Sequence, residues 1–307
     1  MADIRTIADD TGGEEPRTLP VTLAGVEYTP GPRPPRRRPG KPGPGRWVLR
    51  LIVVAYLFFL VAWPVSLVVK NTFADGFSDL AAVFDDPDTM AALWLTVRIA
   101  VVSVVINTVF GVGMSILLVR YRFPGRRALS ALIDLPLSVS PIVVGLALVL
   151  VYNSVDGWFG TALDDRGIDV IFAWPGILLA TTFVALPLVI REVVPVLEEI
   201  GTEQEQAAHS LGAGAWATFR RITLPSIKWA LVYGVVLSLA RALGEFGAVK
   251  VVSGNVLGNT RTATLAVEEK YLNFDKPGAY AVSFLLVMVA VSAIVVVALI
   301  RPGKKDR

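Results

Sequence analysis

From Leu51 to Val69 the chain runs 19 residues without a charged side chain, and four later stretches do the same: Ile99–Val119, Leu135–Val155 and Val170–Ile190, of 21 residues each, and Pro277–Ile300, of 24. A helix needs about 20 apolar residues to cross the hydrocarbon of a bilayer. A sixth stretch starts at Trp229–Ala240 and continues past Arg241 and Glu245 to Val252. None alternates polar and apolar over about ten residues, as a membrane-spanning strand would. Composition agrees: the chain is 54% hydrophobic and 18% charged, where a soluble domain is about 45–50% apolar, glycine included, and about 25% charged. So much apolar surface does not fit inside one soluble core. A soluble enzyme, a disordered protein and a fibrous protein are all poor matches. The expected fold class is an all-α membrane protein with six transmembrane helices, over about 47–69, 97–119, 135–155, 170–190, 228–252 and 277–300.

The sparse charges set the orientation. Arg33, Arg36, Arg37, Arg38, Lys41, Arg46 and Arg50 precede the first span, whereas residues 71–90 hold five Asp and no Lys or Arg. Arg120, Arg122, Arg126 and Arg127 follow the second span; residues 156–169 hold four acids and only Arg166. Basic loops stay on the cytoplasmic side, so both termini and the connection 191–228 are expected to be cytoplasmic. Residues 1–46 read as a disordered basic tail, since Pro30–Gly45 consists of seven Pro, four Gly and five basic residues and offers nothing to a core. Residues 301–307 form a second basic cytoplasmic tail. The net charge of +3 (29 Lys+Arg against 26 Asp+Glu) thus reports topology and proximity to anionic lipid, not nucleic acid.

Catalytic machinery is hard to find. The chain has no GxxxxGK[ST] phosphate loop, no GxSxG and no HExxH. It has no cysteine and a single histidine, His209, so thiolate and multi-histidine metal sites are excluded. His209 reads as a solvated or interface residue, and no enzyme active site is expected.

The connection 191–228 is richer. Thr202-Glu203-Gln204-Glu205 has the spacing of a capping box. Helix follows through Ser210, and Gly212 suits a left-handed stop. A second segment, Ala215 to Leu224, puts Ala215, Phe219 and Ile222 on one face, and Pro225 starts the fifth span. The expectation is two short helices bent at a glycine at the membrane surface, either packed on their own bundle or seated in another protein.

The fifth span carries Arg241-Ala242-Leu243-Gly244-Glu245-Phe246-Gly247. An intramembrane charge costs about 2.5–3.5 kcal/mol on insertion scales. Arg241 and Glu245, four apart, are placed to pair along one helix face. At 1.5 Å per residue from Lys228, Arg241 would sit about 20 Å deep. A purely structural ion pair and a place on a transport pathway both remain open; Gly244 and Gly247 favour the second by leaving backbone accessible. Elsewhere, Ser103, Asn107, Gly111 and Ser115 recur every fourth residue and read as close helix packing. Arg98 reads as a snorkelling interface residue, and Pro141 and Pro187 as kinks.

Two constellations resemble a known family. Gln206-Ala207-Ala208, three residues, Gly212, nine residues, then Ile222-Thr223-Leu224-Pro225 is similar to the EAA loop of bacterial ABC importer permeases, with Gln206 where that pattern has Glu. Ala240–Val249 with Val252-Ser253-Gly254-Asn255, and Asp134–Gly145 around Pro136, Ser138, Ser140 and Pro141, resemble the sulfate/thiosulfate and molybdate branch, the sulfate permeases most closely. The likeness covers roughly 47–300.

It implies the type I ABC importer permease fold in the cytoplasmic (inner) membrane of a bacterium, moving sulfate and also thiosulfate. It also implies a second sulfate permease subunit, an ABC ATPase dimer and an external sulfate-binding protein as partners. No cofactor is expected on this chain; ATP and Mg would sit on the ATPase. Expected ATPase-docking residues are Glu205, Gln206, Ala207, Ala208, Gly212, Ile222, Leu224 and Pro225. Expected pathway residues are Arg241, Gly244, Glu245, Gly247, Ser138 and Ser140. A molybdate or tungstate permease is the near alternative, and a secondary anion transporter the one from another class.

Overall fold

The computed structural model describes residues 21–23, 26–28 and 44–300. The tail read over 1–46 therefore lies outside the described residues, apart from a hairpin and a helix start, and so does 301–307. The chain divides after Phe58 into two units. In the first, β1 (Val21–Leu23) pairs antiparallel with β2 (Val26–Tyr28), placing Val21 opposite Tyr28 and Leu23 opposite Val26. This hairpin was not expected: the triplets Val-Thr-Leu and Val-Glu-Tyr are good strand formers, overshadowed in the sequence by the Pro/Gly run beyond them. Helix α1 (Pro44–Leu57) belongs to the same unit.

Every regular element among the second unit's described residues is helical. A π-helical turn (Phe58–Ala62) leads into α2 (Trp63–Thr72), and α3 (Ser78–Asp85) precedes the long α4 (Pro87–Arg120). Then come α5 (Arg126–Ser138), α6 (Pro141–Tyr152), the short α7 (Gly160–Asp164) and α8 (Trp174–Ile200). The chain continues through α9 (Glu203–Ser210), α10 (Ala215–Thr218), a π-helical turn (Phe219–Thr223) and α11 (Leu224–Leu243). It closes with α12 (Gly247–Val252), α13 (Ala263–Leu272) and α14 (Lys276–Ile300). Five stretches among the described residues are long and apolar enough to cross a membrane, with α5–α6 a sixth if that bent pair is one span.

Four of the expected spans change bounds; the fourth, expected over 170–190, becomes α8, which starts at Trp174 and runs ten residues past Ile190 to Ile200. Helix α4 starts ten residues before the expected span at 97, because Asp86 accepts the Asp88 amide at 3.1 Å and Pro87 occupies the first helical position. The stretch 135–155 is not one straight helix: α5 and α6 meet at 112° around Val139–Ser140. Pro141 begins α6 and does not kink it. The fifth span is also corrected. Helix runs unbroken from Ala215 to Leu243 and stops at Gly244, well short of Val252. Pro225 stands in the first turn of α11, as expected, but helix continues upstream of it: the π-helical turn ahead of it opens the backbone where its ring would press on the preceding turn.

At the centre, α8 packs against α4 and α11. Ile177, Ala180, Val184, Val189, Val193 and Leu197, each 0–3% exposed, follow one another every three to five residues down α8. Small residues on its neighbours allow the close approach. A Cβ at Gly111 on α4 would lie 2.9 Å from Val189 Cγ1, and one at Gly234 on α11 would lie 3.0 Å from Val189 Cα. Lipid tails are as apolar as leucine, so such contacts and interhelical hydrogen bonds hold the bundle together. The Ser103–Asn107–Gly111–Ser115 series does lie on this seam: Asn107 Nδ2 donates to Thr182 O at 3.1 Å, and Thr182 Oγ1 to Ser103 Oγ at 3.2 Å.

Candidate functional site

Two groups of polar residues stand at the two ends of the Ala215–Leu243 helix. At its start, Arg120 closes α4. Its Nε donates to Glu205 Oε2 at 2.8 Å and its Nη2 to Glu205 Oε1 at 3.3 Å. The same guanidinium donates to Leu197 O (3.1 Å) and Gly201 O (2.8 Å), carbonyls at the end of α8 that have no helical partner of their own. Glu205 Oε1 in turn accepts from Thr223 Oγ1 at 2.7 Å. The ends of α4 and α8, the first turn of α9 and the approach to α11 are thereby tied into one joint. Arg120 and Glu205 side chains are only 11% and 17% exposed.

This joint corrects the capping-box reading. Thr202 has no side-chain cap bond to the helix; its hydroxyl accepts from Gln206 Nε2 at 2.9 Å. Glu205 does not reach back to the Thr202 amide because a guanidinium offers it a stronger, two-pronged partner. The stop after α9 is as expected: Gly212 has φ +83°, its N–H donates to His209 O, and the Ala213 N–H donates to Ala208 O. This is the paired closure of a Schellman motif. Gln206, Ala207, Gly212 and Pro225 are exposed, Ala208, Ile222 and Leu224 half-buried, and Leu211 is 90% exposed beside them. A groove of about 700 Å³, walled by Val109, Ile116, Trp216 and Phe219, adjoins this surface. His209 makes only a local contact, from Nδ1 to Ala213 O.

At the other end, the helix stops and turns. Arg241 Nη1 lies 2.8 Å from Glu245 Oε2, an ion pair without the linear alignment of a hydrogen bond. Glu245 Oε1 accepts the Ala248 amide at 3.0 Å, and the Glu245 carbonyl accepts from Thr264 Oγ1 at 2.9 Å. The carboxylate is almost wholly enclosed while Arg241 is 37% exposed, so the buried acid anchors a guanidinium that remains accessible. Gly244 is exposed; Gly247 backs onto Pro141, where a Cβ would come within 3.0 Å. The break between α11 and α12 thus faces the α5–α6 bend, on which Ser138 and Ser140 are both exposed. Gly145 closes the same contact, a Cβ there falling 2.8 Å from Ala248 O.

The candidate pathway residues thus gather at two facing chain breaks, while the candidate docking residues divide into an exposed set (Gln206, Ala207, Gly212, Pro225), a half-buried set (Ala208, Ile222, Leu224) and Glu205, whose carboxylate is turned inward to Arg120. Sequence reasoning missed Arg120, Thr223, Thr264 and Gly145. Arg120 had one available signal, a charge immediately after 21 uncharged residues, but its partner is 85 positions away and nothing local announces that. Arg98, expected to snorkel near the outer end of its span, holds its guanidinium 5.8 Å from the centre of the Trp174 ring at the start of α8. Among the described residues, no group of three or more His, Asp or Glu is arranged to hold a metal ion.

The fold is thus a helical bundle with the exposed short helix α9 near one end of the Ala215–Leu243 helix and a charged break at the other. Residues 107–306 match the family model described as the binding-protein-dependent transport system inner membrane component. The chain is 45% identical to the sulfate transport system permease protein CysW of Synechococcus elongatus, over 83% of this chain and 90% of that one. It is 39% identical to the sulfate transport system permease protein CysT of Escherichia coli K12, over 75% and 83%. A crystal structure of a bacterial ABC transporter involved in alginate import shares the fold, with a TM-score of 0.67 at 16% identity, covering 83% of this chain and 92% of that one. The protein belongs to the family of binding-protein-dependent transport inner membrane components.

Proposed function

We propose that this chain is the permease subunit of an ATP-driven importer of sulfate, with thiosulfate as a second substrate. It lies in the cytoplasmic membrane of a bacterium with both termini inside. The observation that carries the reading is the unbroken helix Ala215–Leu243: it links an exposed knuckle, α9, to an accessible guanidinium at Arg241, in a chain whose relatives are sulfate permeases. Its 29 residues span about 43 Å, long enough to carry a displacement from one membrane face to beyond the midplane. A second permease subunit of the same family completes the pathway, and an external binding protein delivers the anion.

The nucleotide and its magnesium reside on a separate ATPase pair, which supplies the driving force. This chain's part is mechanical and electrostatic. Gln206, Ala207, Ala208 and Gly212 present a small-residue knob to the ATPase, with Ile222, Leu224 and Pro225 beneath it. When the knob is pushed, α11 moves with it. Arg241, held by Glu245, offsets the charge of a passing dianion near the exposed hydroxyls of Ser138 and Ser140 and the open backbone at Gly244 and Gly247.

The test uses membranes carrying the whole complex. Ala208→Trp and Gly212→Trp release the ATPase on purification while the spans stay inserted, and abolish uptake of radiolabelled sulfate. Retention of the ATPase with normal uptake removes the knuckle from the mechanism. Replacing Arg241 and Glu245 together by Gln takes away the guanidinium without burying a lone carboxylate; sulfate uptake then drops by about tenfold or more, the equivalent of one charged hydrogen bond. Uptake that persists without any ATPase identifies a secondary transporter, and sulfate uptake displaced by molybdate identifies the other branch.

A further inference from the structure

The four elements gathered by Arg120 lead beyond docking itself. We infer that Arg120 is the positioning residue that couples α9 to the bundle, acting through Glu205 and Thr223, so that motion of the knuckle reaches α4, α8 and α11 together. The inference rests on the proposed function and deepens it.

The geometry is specific to a guanidinium. Four hydrogen bonds leave Arg120: two to Glu205 on α9, at 2.8 and 3.3 Å, and two to the backbone carbonyls of Leu197 and Gly201. A planar fork with five donors fills such a site; an ammonium at the end of a flexible stem does not. The joint is also shielded, so its bonds lose little to solvent. Glu205 is the hub on the other side, because its second oxygen takes the Thr223 hydroxyl at 2.7 Å from the turn that opens into α11. By contrast, the other ion pairs of this end are open: Arg191–Asp134 is 55% and 42% exposed, and Arg126–Glu198 is stretched to 3.8 Å.

Without this joint α9 has little to push with. It is eight residues long, has no fully buried side chain and is followed by a glycine turn. An isolated helix of that length is not stable in water, so its orientation depends on what it is tied to. The ties of its N-terminal half run through Glu205, and those of its C-terminal end are local. A pushed α9 with Glu205 released would swing or unwind and not transmit.

The experiment measures anion imported per ATP hydrolysed in the reconstituted complex. Arg120→Lys keeps the positive charge but not the fork, and Thr223→Val keeps the shape of the buried side chain but not its hydroxyl. Each is expected to retain the ATPase on purification and to hydrolyse ATP, yet to lower the coupling ratio, by about tenfold for Arg120→Lys and severalfold for Thr223→Val. A merely structural role would lower complex yield and leave the ratio of the assembled fraction unchanged; that result overturns the inference. So does full-rate transport by Arg120→Lys. Should the wild-type chain hold no ATPase at all, the functional reading fails first and takes the joint with it, an outcome distinct from either.

Discussion

Arg241 Nη1 lies 2.8 Å from Glu245 Oε2 across the point where α11 ends, so the pair bridges a helix stop and the turn after it, not one face of a continuous helix. Because Glu245 is 3% exposed and also holds the Ala248 amide, the two partners are unequal. Removing the arginine strands a buried carboxylate, whereas removing the acid's charge leaves a half-wet guanidinium.

The stability of the purified chain should reflect that inequality. Arg241→Gln is expected to cost about 2 kcal/mol, below the 3–5 usual for a fully buried pair because Arg241 is partly hydrated. Glu245→Gln keeps an oxygen for Ala248 and costs about 1 kcal/mol. The double replacement is more stable than Arg241→Gln alone. Thermal unfolding in detergent checks the order; an Arg241→Gln variant as stable as the wild type would mean that Glu245 has another counter-charge.

Glycines at the helix contacts differ in what surrounds them. At Gly145 a Cβ meets Ala248 O and Val251 Cβ, both at 2.8 Å, and a backbone oxygen has little room to yield. Gly145→Ala therefore destabilises the chain by about 1–3 kcal/mol. Gly113, on α4, has nothing within 4 Å of such an atom. Gly113→Ala leaves stability unchanged or raises it by up to about 1 kcal/mol through helix propensity. The pair of melting curves decides between packing and a general intolerance of substitution.

What the sequence made legible follows from how local each signal is. Uncharged runs marked the apolar helices, and the Gly212 stop was readable because a left-handed C-terminus depends on a few adjacent residues. The capping box misled because its reading ignored Arg120, 85 residues away, which outcompetes the Thr202 amide for Glu205. The α5–α6 bend lies inside 21 uncharged residues, and its local signals, Ser138, Ser140 and Pro141, read as pathway residues and a kink and not as a helix stop and a new start. The break at Gly244 did leave a local trace, since Lys250 interrupts the valines from Val249 to Val252 and pairs with Glu268; what the sequence does not show is that Glu245 and Thr264 hold this segment in a separate short helix.

Asp86 offers a pH test away from the spans. Its carboxyl is held below the ordinary carboxylate range by the Thr89 hydroxyl above all; burial opposes the shift, and the Lys270 ammonium adds to it. A lowered value means that the folded state binds the proton less readily than the unfolded chain. The contribution is therefore present above the unfolded value of about 3.9 and lost as pH falls through the lower folded one. Asp86→Ala costs about 1–2 kcal/mol at neutral pH through the lost cap of α4. Asp86→Asn, which still caps, costs less, and its deficit shrinks below about pH 4. A deficit that grows in acid would contradict the sign.

Gly212 and Gly214 flank the same turn and should differ in their response to a side chain. Both have empty space around a would-be Cβ, so packing does not separate them. Gly212 has φ +83°, while Gly214 has φ −70° and ψ 162°, a conformation open to any residue. Gly212→Ala pays the left-handed penalty of about 1–2 kcal/mol, and Asn, which tolerates that region, pays less. Gly214→Ala costs nothing measurable. The loss at Gly212 is local, so global melting is a poor probe of it. Hydrogen exchange at the residue 212 and Ala213 amides, which are bonded to His209 O and Ala208 O, should speed by about tenfold in Gly212→Ala, as 1.4 kcal/mol of local opening requires. Unchanged protection would show that α9 is held closed by its tie at Glu205 alone, and that the turn does not set its angle.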